Sequence, residues 1–498
     1  MSNQCIITLT SQVNCTLSGL SPTIREYFYE KFEYEVPGAR FSAKVQLGIW
    51  NGKISYFKKN GETNINLLKN IVPDLKELGY SIKLVDKRLK SKTNFDPIKE
   101  DYFSPLSVPN RPDLPAILRD YQIKSINSLL AKTQGLVIAG TGAGKTMITA
   151  ALCSVFNHNN LKGIIIVPST SLVKQTREYL ELLKLDIGEF SGKRKDIDHM
   201  TVVSTWQALQ NTPIIIKQFQ MVLADECHLV KGNILQSILG NYGEHIIYRY
   251  GLTATLPKED IHRIAIHNML GNILYEIPSH ELIALGHLAK IEISIIQIEA
   301  DLNEQYQTYI ENCFDKPDSY AKFKNTYFPD YNAEKQYLKS NIGRLNIVAD
   351  KLIELSLKGK GNTLALVEGI AFGKKLLKII QAKIDIEHVY FLHGNDEVEI
   401  RAEVYSLFEN NNNIIVIATV NIASVGIDIS RVFNLALIDI GKSFIRVLQS
   451  IGRGLRKGQD KQQINVFDIC SDLKYARRHL SQRIKFYKEA KYPYQKIK

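Results

Sequence analysis

The run "GLVIAGTGAGKTMITAAL" at 135–152 passes from an apolar strand pattern through a knot of glycines into a helical pattern. Gly140, Gly142 and Gly144 let the backbone turn its N–H groups inward around a phosphate chain, where side chains would obstruct them. Thr141 and Ala143 complete the cradle. Lys145 closes it and reaches the β and γ phosphates, and the Thr146 hydroxyl suits a bound magnesium ion. Ala139 stands where the general pattern has glycine, a small departure because the strand–loop–helix context is kept. Such a loop needs carboxylates from the end of another strand, and "MVLADECHLV" at 221–230 supplies two. Asp225 is placed to hold the magnesium through its water, and Glu226 to orient and deprotonate the attacking water. The expected chemistry is hydrolysis of a nucleoside triphosphate with Mg2+.

These residues need parallel strands to present them. From about 116 to 285 the apolar runs "GLVIAG", "GIIIVP", "MTVVST", "MVLADE" and "YRYGLTAT" alternate with amphipathic helical patterns. Short, nearly unbroken apolar runs suit a parallel sheet covered on both faces. A polar, tyrosine-rich insertion (301–340) precedes a second series, "NTLALV", "VYFLHG", "NIIVIAT", "NLALIDI" and "INVFDI". Residues 1–100 differ in texture. There "ARFSAKVQLGIWNGKISYFKKNGE" reads as strands joined by turns at Asn51-Gly52 and Asn60-Gly61, and "INLLKNIVPDLKELGY" as a helix.

Five segments follow: a small α+β accessory domain (1–100), a proline-rich linker (101–115), two α/β domains (116–285 and 286–473) and a C-terminal tail (474–498). In the tail nine Lys or Arg stand against Glu489 alone, with tyrosines and a phenylalanine between them. With a net charge of +12, that composition points to a polyanionic partner rather than to ordinary solubility. No segment offers 18 uninterrupted apolar residues, so no membrane is expected. The first ten residues lack the pattern of a secretory leader, and six scattered cysteines read as reduced thiols. The expected compartment is the cytoplasm, that of the host if the chain is phage-encoded.

Together the phosphate loop, Asp225-Glu226-Cys227-His228 and "TAT" at 253–255 resemble the ordered motifs of superfamily 2 helicases and translocases. "LRDYQ" (118–122) resembles the segment whose glutamine, here Gln122, reads the adenine edge. "IATVNIASVGIDI" (417–429) resembles the motif that joins nucleotide to nucleic acid, with Thr419, Gly426 and Asp428 in place. "QSIGRGLR" (449–456) resembles the motif whose arginines reach the γ-phosphate, here Arg453 and Arg456 beside Gln449. Arginines so placed stabilise charge growing on the γ-phosphate, a role worth ~10³–10⁵ in rate. "VPSTSLVKQ" (167–175) and "STWQAL" (204–209), with Ser169 and Thr205, look like loops that grip the strand backbone.

The N-terminal unit, with Gly48, Trp50, Gly52 and Lys53, resembles the accessory domain of UvsW-type bacteriophage helicases, with lysine where that pattern has arginine. The resemblance implies an α/β fold of two tandem RecA-like parallel-sheet domains preceded by a small α+β accessory domain. It also implies an ATP-dependent DNA helicase that remodels forks and junctions in recombination, replication or repair. His228, Thr253, Thr255 and Gln449 would couple hydrolysis to movement, and Trp50, Lys53, Ser169, Thr205 and Thr419 would touch DNA. A monomer is expected, with other recombination or replication proteins as partners. Two alternatives stand beside this reading: an RNA helicase, and a partner-dependent motor subunit of a restriction or remodelling assembly.

Overall fold

The computed structural model describes residues 4–109, 111–192, 194–313, 316–358, 361–420, 422, 431–441 and 461–497. Two compact units divide the chain: Met1–Gly140 with Gly144–Ile277, and Pro278–Lys498 with Thr141–Ala143. The expected α/β class holds, with two parallel sheets following an N-terminal α+β region.

In the first unit the N-terminal residues build a four-stranded sheet in the order Glu62–Asn64, Asn14–Ser18, Gln4–Leu9, Ser81–Asp86. Alternation places Cys5, Ile7, Cys15 and Leu17 on one face, where helices Pro22–Lys31 and Leu68–Glu77 cover them with Phe28, Ile71 and Leu75. The turn at Asn60-Gly61 needs its glycine. Gly61 has φ +89°, and a Cβ there would lie 2.3 Å from the Leu17 carbonyl oxygen. The stretch expected to pair as strands from Ala39 onward does so at Lys53–Ser55, at the Phe57 bridge to Thr63 and at Glu62. Residues Ala39–Phe41 and Ala43–Gln46 are short helical turns, in which Phe41 faces solvent. Within the expected linker, Ser107–Val108 and Arg111–Pro115 pair as a short antiparallel ladder.

The large sheet of this unit runs Arg194–Asp196, Ile187–Ser191, Thr201–Thr205, Gly163–Val167, Met221–Asp225, Tyr248–Thr253, Gln134–Ala139, Ile273–Ile277. Every pairing is parallel except that of the first strand. The C-terminal ends of the seven mutually parallel strands therefore lie along one edge, where open α/β sheets bind ligands.

The N-terminal sheet is locked to this larger one. Val13 is buried in the large sheet's core, worth about 1.5–3 kcal/mol, and the partly buried Ile264 packs against that of the N-terminal sheet. Amides fasten the seam: Gln134 Nε2 donates to the Gln12 carbonyl at 2.7 Å, Asn66 Nδ2 to the His267 carbonyl at 2.9 Å, and Asn268 Nδ2 to Asn64 Oδ1 at 3.1 Å. Directly behind the seam lies Arg249, fully buried in strand Tyr248–Thr253. Its guanidinium donates to the carbonyls of Met269, Gly243 and Leu239 at 2.6, 2.7 and 2.9 Å. Those carbonyls close two helical segments that the N-terminal sheet grips, through Asn14 to the Gly240 carbonyl and Asn66 to that of Asn268.

In the second unit seven parallel strands run Val389–Leu392, Ile415–Thr419, Thr363–Val367, Asn434–Ile438, Gln463–Ser471, Lys290–Ile298, Tyr494–Ile497. The last of these corrects the expected basic tail. Residues 474–498 are part of the domain: helix Lys474–Glu489 crosses the sheet and strand Tyr494–Ile497 pairs in parallel with Lys290–Ile298. The reason is polar and internal. Arg483 makes a two-pronged bond to Asp468, both contacts 2.8 Å, and the Tyr487 hydroxyl donates to the same carboxylate at 2.9 Å. Glu334, from the tyrosine-rich insertion, accepts the Tyr475 and Ala476 amides at 2.9 and 2.7 Å and so caps the helix. The remaining lysines and arginines of the helix are exposed.

Candidate active site

Strand Gln134–Ala139 ends at the loop 140–144, and helix Lys145–His158 begins directly after it. Gly142 and Gly144 have φ +85° and +74°, a region that side chains disfavour. The helix start turns free backbone N–H groups toward the loop, a ready anion site. Gln122, buried in the first turn of helix Asp120–Leu130, comes beside this loop: a Cβ on Gly144 would lie 2.6 Å from its Nε2. Its Oε1 accepts the Arg119 amide at 2.9 Å, which fixes the side chain. Lys145 Nζ lies 3.4 Å from the Ala139 carbonyl oxygen and 3.3 Å from Glu226 Oε1. Thr146 follows, partly exposed.

Strand Met221–Asp225, two places along the sheet, delivers the carboxylates. Glu226 adopts φ +47°, the left-handed region, and its amide donates to Asp225 Oδ1 at 2.9 Å. That twist lets two sequence-adjacent carboxylates face the same loop. Burial, reinforced by the Glu226 charge and opposed by Lys145, holds the Asp225 carboxyl well above the usual range.

Beyond Glu226, His228 and Thr253 form a buried hydrogen-bonded pair. His228 Nδ1 lies 2.7 Å from Thr253 Oγ1 and 3.3 Å from Glu226 Oε2. The Thr253 hydroxyl donates to the Thr255 carbonyl at 2.7 Å, so it accepts from His228, which must carry its proton on Nδ1. Burial pulls the His228 pKa below the ordinary value, which keeps the ring neutral. His228 Nε2 and Thr255 Oγ1 are buried with no hydrogen-bond partner among the described residues. Unsatisfied polar atoms beside a phosphate-type loop are what a ligand site leaves open.

The remaining expected residues fall in several places. Ser169 and Thr205 sit at the C-terminal ends of neighbouring strands, on the same edge as the loop. Their hydroxyls cap the helices that follow, accepting from the Leu172 amide at 3.4 Å and the Ala208 amide at 3.2 Å. In the second unit Thr419 ends strand Ile415–Thr419 and is buried. Trp50 donates to the Lys53 carbonyl at 2.8 Å, and Lys53 pairs with Glu33 at 3.1 Å. Gly426, Asp428, Gln449, Arg453 and Arg456 lie outside the described residues. Sequence reasoning missed Arg249; an arginine inside the apolar run "YRYGLT" was the available signal.

Residues 116–258 match the family described as "Type III restriction enzyme, res subunit", and residues 347–458 match the "Helicase conserved C-terminal domain". The chain is a superfamily 2 helicase. It is 25% identical, over 93% of each chain, to the "ATP-dependent DNA helicase uvsW" of Enterobacteria phage T4. A shorter likeness, 28% identical over 36% of this chain and 34% of the other, runs to the "DNA 3'-5' helicase XPB" of Mycobacterium tuberculosis. In structure the helicase is similar to the "ATP-dependent Type ISP restriction-modification enzyme LlaBIII bound to DNA". That match has a TM-score of 0.56 at 14% identity and covers 85% of this chain and 34% of that one. It speaks to the shared fold.

Proposed function

We propose that this helicase couples ATP hydrolysis to the remodelling of branched DNA, acting on forks, junctions and recombination intermediates. One observation carries the reading. The likeness to the T4 protein spans 93% of the chain, so it takes in the N-terminal sheet that is locked onto the first motor sheet as well as the motor itself. Motor domains of this kind hold backbone phosphates, which carry no information about branching. An added rigid surface is needed to recognise a junction. In this reading the helicase works as a monomer in the host cytoplasm, alongside other recombination or replication proteins. The test is ATP-dependent strand separation of a forked duplex by the purified chain; failure on forks under conditions that support ATP turnover would contradict the proposal.

Within the site, the loop 140–144 holds the phosphate chain and Lys145 the terminal phosphates, while Gln122 faces the base. Glu226 accepts the proton of the attacking water. Asp225 and Glu226 lie together beside Lys145, so that once both are ionised a surplus of negative charge remains that fits a divalent cation. Asp225 and Thr146 would hold magnesium there, which when bound neutralises charge on the β- and γ-phosphate oxygens. Arg453 and Arg456 would serve the γ-phosphate.

The Asp225 carboxyl gives this reading a pH dependence. With its pKa raised it retains a proton that the cation requires it to lose. Affinity for the magnesium nucleotide should therefore rise with pH from the ordinary carboxylate range upward, and level off once Asp225 is ionised in the free protein. Calorimetric titration in two buffers of different ionisation heat should show proton release; a buffer-independent heat would contradict it.

The hydrogen bonds from His228 through Thr253 to Thr255, set 3.3 Å from Glu226, support a coupling role. Thr253→Ala removes the hydroxyl that both accepts from His228 and donates to the Thr255 carbonyl. We expect ATP turnover near the parent rate, with strand separation slowed by about 5- to 150-fold, the range of a 1–3 kcal/mol coupling. Thr255→Ala keeps the accepting carbonyl and should cost far less. Parallel loss of both activities in Thr253→Ala would point to a purely structural role.

A further inference from the structure

The hairpin Glu33–Glu35 with Lys53–Ser55 carries an excursion, residues 36–52, that neither the ATP site nor the domain seam uses. Its stem is anchored: the Tyr56 hydroxyl donates to the Ile261 carbonyl at 3.2 Å, on helix Asp260–Leu270. That helix follows Thr253–Thr255 directly in the chain. The excursion itself is tightly tied. Val36 N donates to the Gly52 carbonyl at 2.9 Å, and the amides of Ile49 and Trp50 donate to the Lys44 carbonyl at 2.9 and 3.1 Å. Gly38, Gly48 and Gly52 make its turns with φ of +77°, +69° and +79°.

This ordered knob nevertheless holds Phe41, Leu47 and Ile49 in water, each 72% exposed, with Ile54 at 44% beside them. Each large apolar side chain left exposed forgoes the gain of burial, so a knob built this way fits an external surface. Its rim is basic. The Arg40 guanidinium lies 4.8 Å from the centre of the Phe41 ring, Lys44 is exposed next to it, and neither has an acidic partner among the described residues. Apolar tips framed by cations match a nucleic-acid branch point, where phosphates surround base faces that have lost a stacking neighbour. Phe, Leu and Ile are side chains that wedge against base steps.

We infer that Phe41, Leu47 and Ile49 form a wedge that packs on the exposed base pair at a DNA branch, with Arg40 and Lys44 on the flanking phosphates. The inference rests on the branched-DNA reading and names the surface that would serve it. A second copy of this chain or a protein partner is the competing occupant.

The test uses the full chain, the triple variant Phe41→Ala/Leu47→Ala/Ile49→Ala, and a fork carrying 2-aminopurine at the branch. All three side chains are exposed, so the variant should melt with the parent. The parent should raise 2-aminopurine fluorescence on binding the fork. The variant should lose that rise and unwind the fork at least about tenfold more slowly, since stacking contributes ~1–3 kcal/mol per base. Its ATP turnover on single-stranded DNA should stay at the parent level. Fork unwinding and fluorescence unchanged in the variant would overturn the wedge. So would a change confined to sedimentation, which would mark a contact between copies. If the parent itself treats forks and single strands alike, the branched-DNA reading falls, and the wedge with it. If the parent prefers forks and the variant keeps that preference, only the wedge falls.

Discussion

Replacing Glu226 by Gln should lower ATP turnover by about 10²–10⁴-fold, the range that a positioned general base contributes, while nucleotide affinity stays near that of the parent. The geometry separates these two effects. Glu226 is held by its left-handed backbone between Lys145 at 3.3 Å and His228 at 3.3 Å, so the shape of the site survives an amide in place of the carboxylate. What the amide cannot do is take a proton from water. Lys145→Ala should behave differently, because it removes the cation that both phosphates and carboxylates face, and should weaken binding as well as turnover. Steady-state hydrolysis with a fluorescent-nucleotide titration distinguishes the two. A Glu226→Gln variant that turns over at the parent rate would remove this residue from the role of base.

The second large effect lies away from the chemistry. Arg483→Met leaves Asp468, only 1% exposed, with the Tyr487 hydroxyl as its remaining side-chain donor among the described residues. Stranding one charge of a buried pair costs about 3–5 kcal/mol. For a unit of this size the unfolding midpoint should fall by about 6–20 °C. Replacing both partners, as Arg483→Met with Asp468→Leu, should recover most of the loss, because an apolar pair has no stranded charge. Calorimetry of the three proteins tests this, and a fall under about 2 °C in Arg483→Met would mean the pair is not what holds helix Lys474–Glu489 to its sheet. Deleting residues 474–498 is consequently a folding experiment before it is a DNA-binding one.

That reversal shows where the sequence was legible and where it was not. Lys474–Lys498 has the composition of a nucleic-acid tail, and most of its cations are indeed exposed. The decisive residues are Arg483 and Tyr487, whose partner Asp468 lies 15 and 19 positions earlier and becomes adjacent only when the strand and helix pack. Arg249 is similar, since its partners are backbone carbonyls that leave no mark in composition. The parallel sheets were readable because continuous apolar runs have few other uses, and the phosphate loop because its glycines and lysine carry a local mechanism. The hairpin excursion was misread for the opposite reason: its apolar residues mimic strand alternation, yet Phe41, Leu47 and Ile49 are left exposed. The Asp225–Glu226 pair was visible, while the left-handed turn that aims both carboxylates at the loop was not.

The most direct measurement is ATP hydrolysis by the purified chain with single-stranded, duplex, forked and four-way DNA and with the matching RNAs, each titrated to saturation at one salt concentration. The account predicts stimulation by DNA, strongest with forked or four-way substrates at the lowest concentrations, and weak stimulation by RNA. Equal stimulation by RNA, or no advantage of branched over linear DNA, would contradict it.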